Sequence, residues 1–436
     1  MKQLIILSAF IISIPVALFS QVTDNEELKQ LIKKSFSFFP KIAEAENLIK
    51  SAEEKKLLTE LNRKPDLSAN ASYNLLLPKI AFPINGKEIQ FVPVHNVGTS
   101  INASWTLFDF GRLKAAIDKE KTSIQLSKDQ VEVTKSQLKA QVAGIYYSIV
   151  YLRKCLAIED SIIKFYRDNQ TMAERKVKNG DALQTDVLNF KSSVDAEENK
   201  KLDVEMALNK QLNLLAYTTG VSDIQGNEFD FRRRAILQEI SDDVYINRTV
   251  RIVRDEIKNP EFTLAKDKII SAKSDLNVIG LNNKPSLNIH GASGIKNGYV
   301  PEVNDLRFNA MAGISFLLPI DAFGKTKQQN KYQQTIIKQQ ELSLQSLQLQ
   351  FDKDIKQSQS NWGYLRRKAK NSANEIKAAQ ESQQLTLSRY QNGVATFVDL
   401  SAAEANIEKA KFSILQDEYQ MCLENIELAR LMGFEY

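Results

Sequence analysis

The sequence predicts a mainly α-helical protein with a small membrane-type β component, built as two copies of one unit within 436 residues. Three observations carry this prediction. An offset of 213 residues superimposes Gly111 on Gly324, Asn179-Gly180 on Asn392-Gly393, Asp186 on Asp399 and Gly220 on Gly433. Two stretches without Pro, Arg112 to Lys178 and Lys325 to Gln391, are broken by Gly only at Gly144 and Gly363. Ahead of each, short segments alternate apolar and polar side chains with the period of a β-strand.

The N-terminus comes first. Lys2 precedes an apolar run from Leu4 to Phe19, then Ser20 and Gln21. This reads as a secretory signal peptide over residues 1–20, with Ser20 small enough for the cleavage site although Leu18 is larger than usual. The run is short for a spanning helix, and no later stretch is apolar enough to be one. An exported chain without such a helix is either water-soluble or a β-barrel. The sequence then divides into a first repeat over 21–220, a connecting segment over 221–237 and a second repeat over 238–436.

Each repeat has the same order. A helical segment from Glu26 to about Leu61 leads to Pro65. Leu67, Ala69, Ala71, Tyr73 and Leu75 then alternate with Ser68, Asn70, Ser72 and Asn74. After a loop rich in Pro and Gly, Ile101, Ala103, Trp105 and Leu107 alternate with Ser100, Asn102, Ser104 and Thr106. The second repeat offers Leu287 and Ile289, then Phe308, Ala310, Ala312, Ile314, Phe316 and Leu318. Small Ser, Asn and Thr on the polar faces, in place of Lys and Glu, suit a wet barrel interior with lipid outside. Four strands are too few to close a spanning barrel, so several copies must contribute.

Then come the long helices. Ile117, Ile124, Val131, Leu138, Ile145 and Leu152 recur every seven residues, a coiled-coil seam. At 1.5 Å per residue each stretch spans about 100 Å, more than a globular core needs. Lys178-Asn179-Gly180-Asp181 and Gln391-Asn392-Gly393-Val394 supply the positive φ of a tight reversal. Return helices follow, to about Ala216 and Ala429.

Several function classes are excluded. The net charge of +5 comes from interleaved acids and bases, with no nucleic-acid patch. Cys155 and Cys422 lie in helical stretches and read as buried small side chains. His95 and His290, in loop-like and strand-like stretches, lack ligand-spaced neighbours, so no metal or cofactor is expected. No nucleophile–base grouping or phosphate loop marks an enzyme. A periplasmic coiled-coil adaptor or scaffold is the alternative, but an adaptor has one hairpin and a scaffold needs no alternating strands.

The junctions WTLFDFGRLKAAIDKEK and LLPIDAFGKTKQQNKYQQ, and the tips AERKVKNGDALQTDVLNFKSSVDAEE and SRYQNGVATFVDLSAAEANIEKA, resemble the TolC family of outer-membrane efflux channels. The resemblance implies a homotrimer in the outer membrane, each subunit giving four strands to a 12-stranded barrel. Its helices would form a coiled-coil tube in the periplasm. It also implies a periplasmic adaptor (membrane-fusion) protein and an inner-membrane pump as partners, with the tips, Asn179, Gly180, Asp181, Arg389, Asn392 and Gly393, as the adaptor contact. By the same resemblance Thr185, Asp186, Tyr390 and Asp399 belong to the aperture that closes the tube, although Asp186 and Asp399 read equally well as helix N-terminal residues favoured by the helix dipole. The chain departs from the pattern twice. Ala395 stands where the family has an Arg, leaving Arg389 or Lys178 as replacements, and Ala402 stands where it has a second acid.

Overall fold

The computed structural model describes residues 26–84, 87–225, 259–321 and 323–433. The signal-peptide segment and residues 226–237 of the connecting segment lie outside these. The order is α1 (Glu26–Phe38), α2 (Pro40–Leu61), β1 (Asp66–Leu75), β2 (Ala81–Ile84), β3 (Lys87–Gln90), β4 (His95–Phe108), α3 (Arg112–Asn179) and α4 (Gln184–Thr219). The second repeat gives α5 (Pro260–Leu281), β5 (Ser286–Lys296), β6 (Arg307–Leu317), α6 (Lys325–Gln391) and α7 (Phe397–Met432).

Three details differ from the sequence reading. The first helix breaks at Phe39, ahead of Pro40, whose missing N–H suits the start of a new helix. The loop after β1 contains the short antiparallel hairpin β2–β3, in which Phe82 meets Phe91 edge-on at 5.9 Å. His95 is not in a loop but opens β4, where its Nδ1 lies 2.9 Å from the Tyr73 hydroxyl.

The chain forms two compact units. One comprises Ala45–Gln130 and Leu264–Gln345 and carries the strands. Its four-stranded antiparallel sheet has the order β1-β4-β5-β6, so the two repeats meet in the middle and β1 and β6 are open edges. The register aligns apolar residues across the sheet: Leu67 opposes Ala103, Ala69 opposes Ile101, Trp105 opposes Ile289, and Ile289 opposes Ile314. This face is open, with Leu67 74%, Ile101 65%, Phe308 73% and Ile314 69% exposed. The other face carries Ser68, Asn70, Ser72, Ser100, Asn102 and Asn288; Thr106 Oγ1 donates to Asn288 Oδ1 at 2.8 Å. The helical part of this unit is tied by Lys119 to Asp275 (2.8 Å) and Lys55 to Glu120 (3.3 Å).

The second unit takes the described parts of Met1–Glu44, Val131–Thr263 and Ser346–Tyr436. Of the heptad seam, Val131, Leu138 and Ile145 are buried here, while Leu152 is half-buried, as is Ile124 farther up α3. Its largest cluster joins Leu28, Ile42, Tyr146, Tyr147, Ile149, Leu215, Leu415 and Ile426. Fully burying each such side chain contributes about 1.5–3 kcal/mol, so packing, more than propensity, fixes the helices here.

Candidate functional site

The long helices end in the same turn in the two repeats. At the end of α3, Asp181 N–H donates to Lys176 O (2.8 Å) and Gly180 N–H to Val177 O (3.0 Å). At the end of α6, Val394 N–H donates to Arg389 O (2.8 Å) and Gly393 N–H to Tyr390 O (3.1 Å). Both are Schellman turns, and both need a left-handed residue, supplied by Gly180 (φ 83°) and Gly393 (φ 75°). Asn179, Gly180, Asp181, Asn392 and Gly393 are exposed, as a contact surface requires.

Beneath the tips a second apolar cluster joins the hairpins: Ile162, Ile163, Tyr166, Ala173, Val187, Phe190, Val194, Tyr390 and Leu400. Phe190 is fully buried and meets Tyr390 and Phe397 edge-on, at 5.8 and 4.7 Å between ring centres. Lys176, which the sequence reading passed over, crosses between the hairpins. Its Nζ donates to Tyr390 O (3.0 Å) and Gln391 O (2.8 Å) and lies 5.2 Å from the Tyr390 ring centre. The cation thus sits on the negative end of α6, where it shares Tyr390 O with Gly393 N–H and meets Gln391 O, one of the last carbonyls of the helix. Arg389 and Lys178 are exposed.

The four residues expected at the aperture are placed unequally. Tyr390 is buried, and its hydroxyl has no hydrogen-bond partner among the described residues. Burial raises its pKa, and the negative charge of Asp186 adds to this. Asp186 is half-buried in the first turn of α4, and Thr185 beside it is exposed. Asp399 is exposed and completes a capping box: its Oδ2 accepts from Thr396 N–H (2.9 Å) and Thr396 Oγ1 (2.8 Å), while its own N–H donates to Thr396 Oγ1 (3.2 Å). The backbone hydrogen bond at Thr396 holds its pKa below the usual carboxylate range.

Farther along the helices, carboxylates that the sequence keeps apart converge. Glu159 of α3, Glu197 of α4 and Glu408 of α7 bring oxygens within 4.8 Å of one another. The sequence shows no metal-type spacing because each acid comes from a different helix. One signal was nevertheless present. Glu159 occupies the seam position seven residues after Leu152, where the heptad calls for an apolar side chain. The positions that follow, Tyr166 and Ala173, are buried as the seam predicts.

The model of the family described as outer membrane efflux protein matches residues 39–221 and 258–434, most of the chain. Among solved structures, the outer membrane protein VceC of Vibrio cholerae is 15% identical, with 93% of this chain and 96% of that one covered at a TM-score of 0.72. The CmeC outer membrane channel of Campylobacter jejuni is 13% identical, covering 94% and 86% at a TM-score of 0.73. The MtrE outer membrane channel of Neisseria gonorrhoeae, solved in an open state, is 14% identical, covering 94% and 89% at 0.70. At these identities the likeness establishes the fold. A search of curated protein sequences finds no match.

Proposed function

The chain belongs to the outer membrane efflux protein family, and from that premise we propose that it is the channel subunit of a tripartite export system. Three copies pool four strands each into a 12-stranded barrel in the outer membrane. The helical hairpins line a periplasmic duct that opens at its tips. Residues 1–20 direct export, and 221–237 link the two repeats. A periplasmic adaptor grips the exposed tips and joins the duct to an inner-membrane pump. No reaction is catalysed; cargo passes through a gated tube.

The observation that carries this reading is the sheet. Its one continuous apolar face is open, its other face is lined mostly with small and polar side chains, and among the described residues neither edge has a partner strand. Among the described residues no helix is long and apolar enough to cross a membrane. Open edges are costly in lipid, where every backbone polar group needs a partner. Neighbouring copies supply it by pairing β1 with β6.

Closure rests on the tips. Lys176 and the Phe190–Tyr390–Phe397 group hold the two hairpins together, and opening requires them to part. Fractionating cells and recording single channels tests the proposal. We expect the protein in the outer membrane and, when purified, as pores in planar bilayers. Recovery in the soluble periplasmic fraction with no conductance overturns it.

A further inference from the structure

We propose that Glu159, Glu197 and Glu408 form a binding site for one divalent cation of the calcium class in each subunit. The site is independent of whether the protein exports anything.

The geometry comes first. The three oxygens lie within 4.8 Å of one another. Calcium holds oxygens at 2.3–2.6 Å, so two on opposite sides of it stand about 5 Å apart, and one ion reaches all three. The donors are all carboxylates, which suits a hard cation rather than zinc or copper.

Burial gives the second, separate observation. Glu159 is 3% exposed, and its Oε2 has no hydrogen-bond partner among the described residues. A buried carboxylate oxygen without a partner costs several kcal/mol less only when a proton or a cation meets it. Glu197 is 6% exposed and Glu408 half-buried.

Charge decides the valence. The basic group facing the cluster is Lys200, whose Nζ donates to Glu197 Oε1 (3.1 Å) and Glu408 Oε1 (2.8 Å). Three carboxylates and one ammonium leave two negative charges. A divalent ion beside Lys200, whose Nζ also lies 3.1 Å from Glu197 Oε2, brings the group to neutrality. The half-exposed Lys200 side chain marks the wet side, by which an ion enters. Asp160 and Glu404 add further negative potential. The bound ion would tie α3 and α4 of the first hairpin to α7 of the second.

Tyr166 packs beside the cluster and serves as an antenna for terbium, a luminescent stand-in for calcium. The purified full chain, stripped with EDTA, is titrated with terbium under tyrosine excitation and then with calcium. We expect a saturable signal of one ion per chain, displaced by calcium, and a higher melting temperature with calcium. E159Q and E408Q keep the side-chain shape, and each should weaken binding about tenfold or more by removing a charged ligand. K200M should bind at least as tightly as the wild type. No saturable signal, or an unchanged signal in the E159Q/E408Q double variant, overturns the proposal. So does a calcium-insensitive wild type whose melting temperature E159Q alone raises, since a proton then fills the place.

Discussion

At the residue scale, the tip cluster separates packing from polarity. Tyr390 buries a hydroxyl with no acceptor among the described residues, so Y390F removes an unsatisfied donor. It should leave stability unchanged or raise it by up to about 1 kcal/mol. Y390A empties a place beside Phe190 and should cost about 3–5 kcal/mol, read in thermal melts. In planar bilayers Y390F should stay as closed as the wild type while Y390A conducts more. Equal leakage from both would move closure from the ring to the hydroxyl. K176M should cost about 1 kcal/mol by uncovering the end of α6, and should speed proteolytic cleavage near Asn392. The carboxylate cluster adds a pH dependence. Burial, then the negative charges of Glu197 and Glu408, push Glu159 up to about 7 from an ordinary value of 4.5. Ionisation is therefore harder in the fold than in the unfolded chain. The favourable contribution is complete below about pH 4.5 and is lost as pH rises through 7. In EDTA, melting should fall between pH 5 and 8, and E159Q should flatten part of that fall. Asp129, raised by burial to about 6, keeps a share with the same sign.

At the element scale, the repeat shows why much of the architecture was legible. Gly180 and Gly393 end their helices in the same left-handed turn because only that conformation places both backbone donors on the last carbonyls. G180A and G393A should each cost about 1–2 kcal/mol in melting experiments. The strand alternation was equally readable, since period two leaves one face for each chemistry. The β2–β3 hairpin was not, because Pro83 interrupts a four-residue strand that then looks like loop. Lys176 was hidden for another reason. It acts on carbonyls 214 and 215 residues away, and a backbone acceptor carries no side-chain signature. The Glu cluster left one trace, a polar residue on an apolar seam, but its partners arrive only with the fold. Gly294 belongs to the same lesson. A Cβ there would stand 1.9 Å from Thr99 O on β4, so G294A should split the β4–β5 pairing that joins the repeats. Loss of folded protein from the membrane fraction would show this; normal levels would contradict it.

At the scale of the whole molecule, one chain is an incomplete object in lipid. Among the described residues its sheet ends at β1 and β6, and its apolar face is large and open. Water makes such a face an aggregation hazard, whereas a bilayer makes it the stable arrangement once the edges close. Closure within a single four-stranded sheet is geometrically excluded, so the proposed barrel requires β1 of one copy against β6 of the next. Cysteine pairs across that seam test it directly. Asn70 of β1 is replaced by Cys together with Asn309, Met311 or Ser315 of β6, in turn; the native Cys155 and Cys422 are buried and stay out of reach of mild oxidants. In at least one pair, oxidation in intact outer membranes should produce covalent trimers that reducing agent dissolves. Monomers alone in every pair, or cross-links confined to single chains, would contradict the shared barrel.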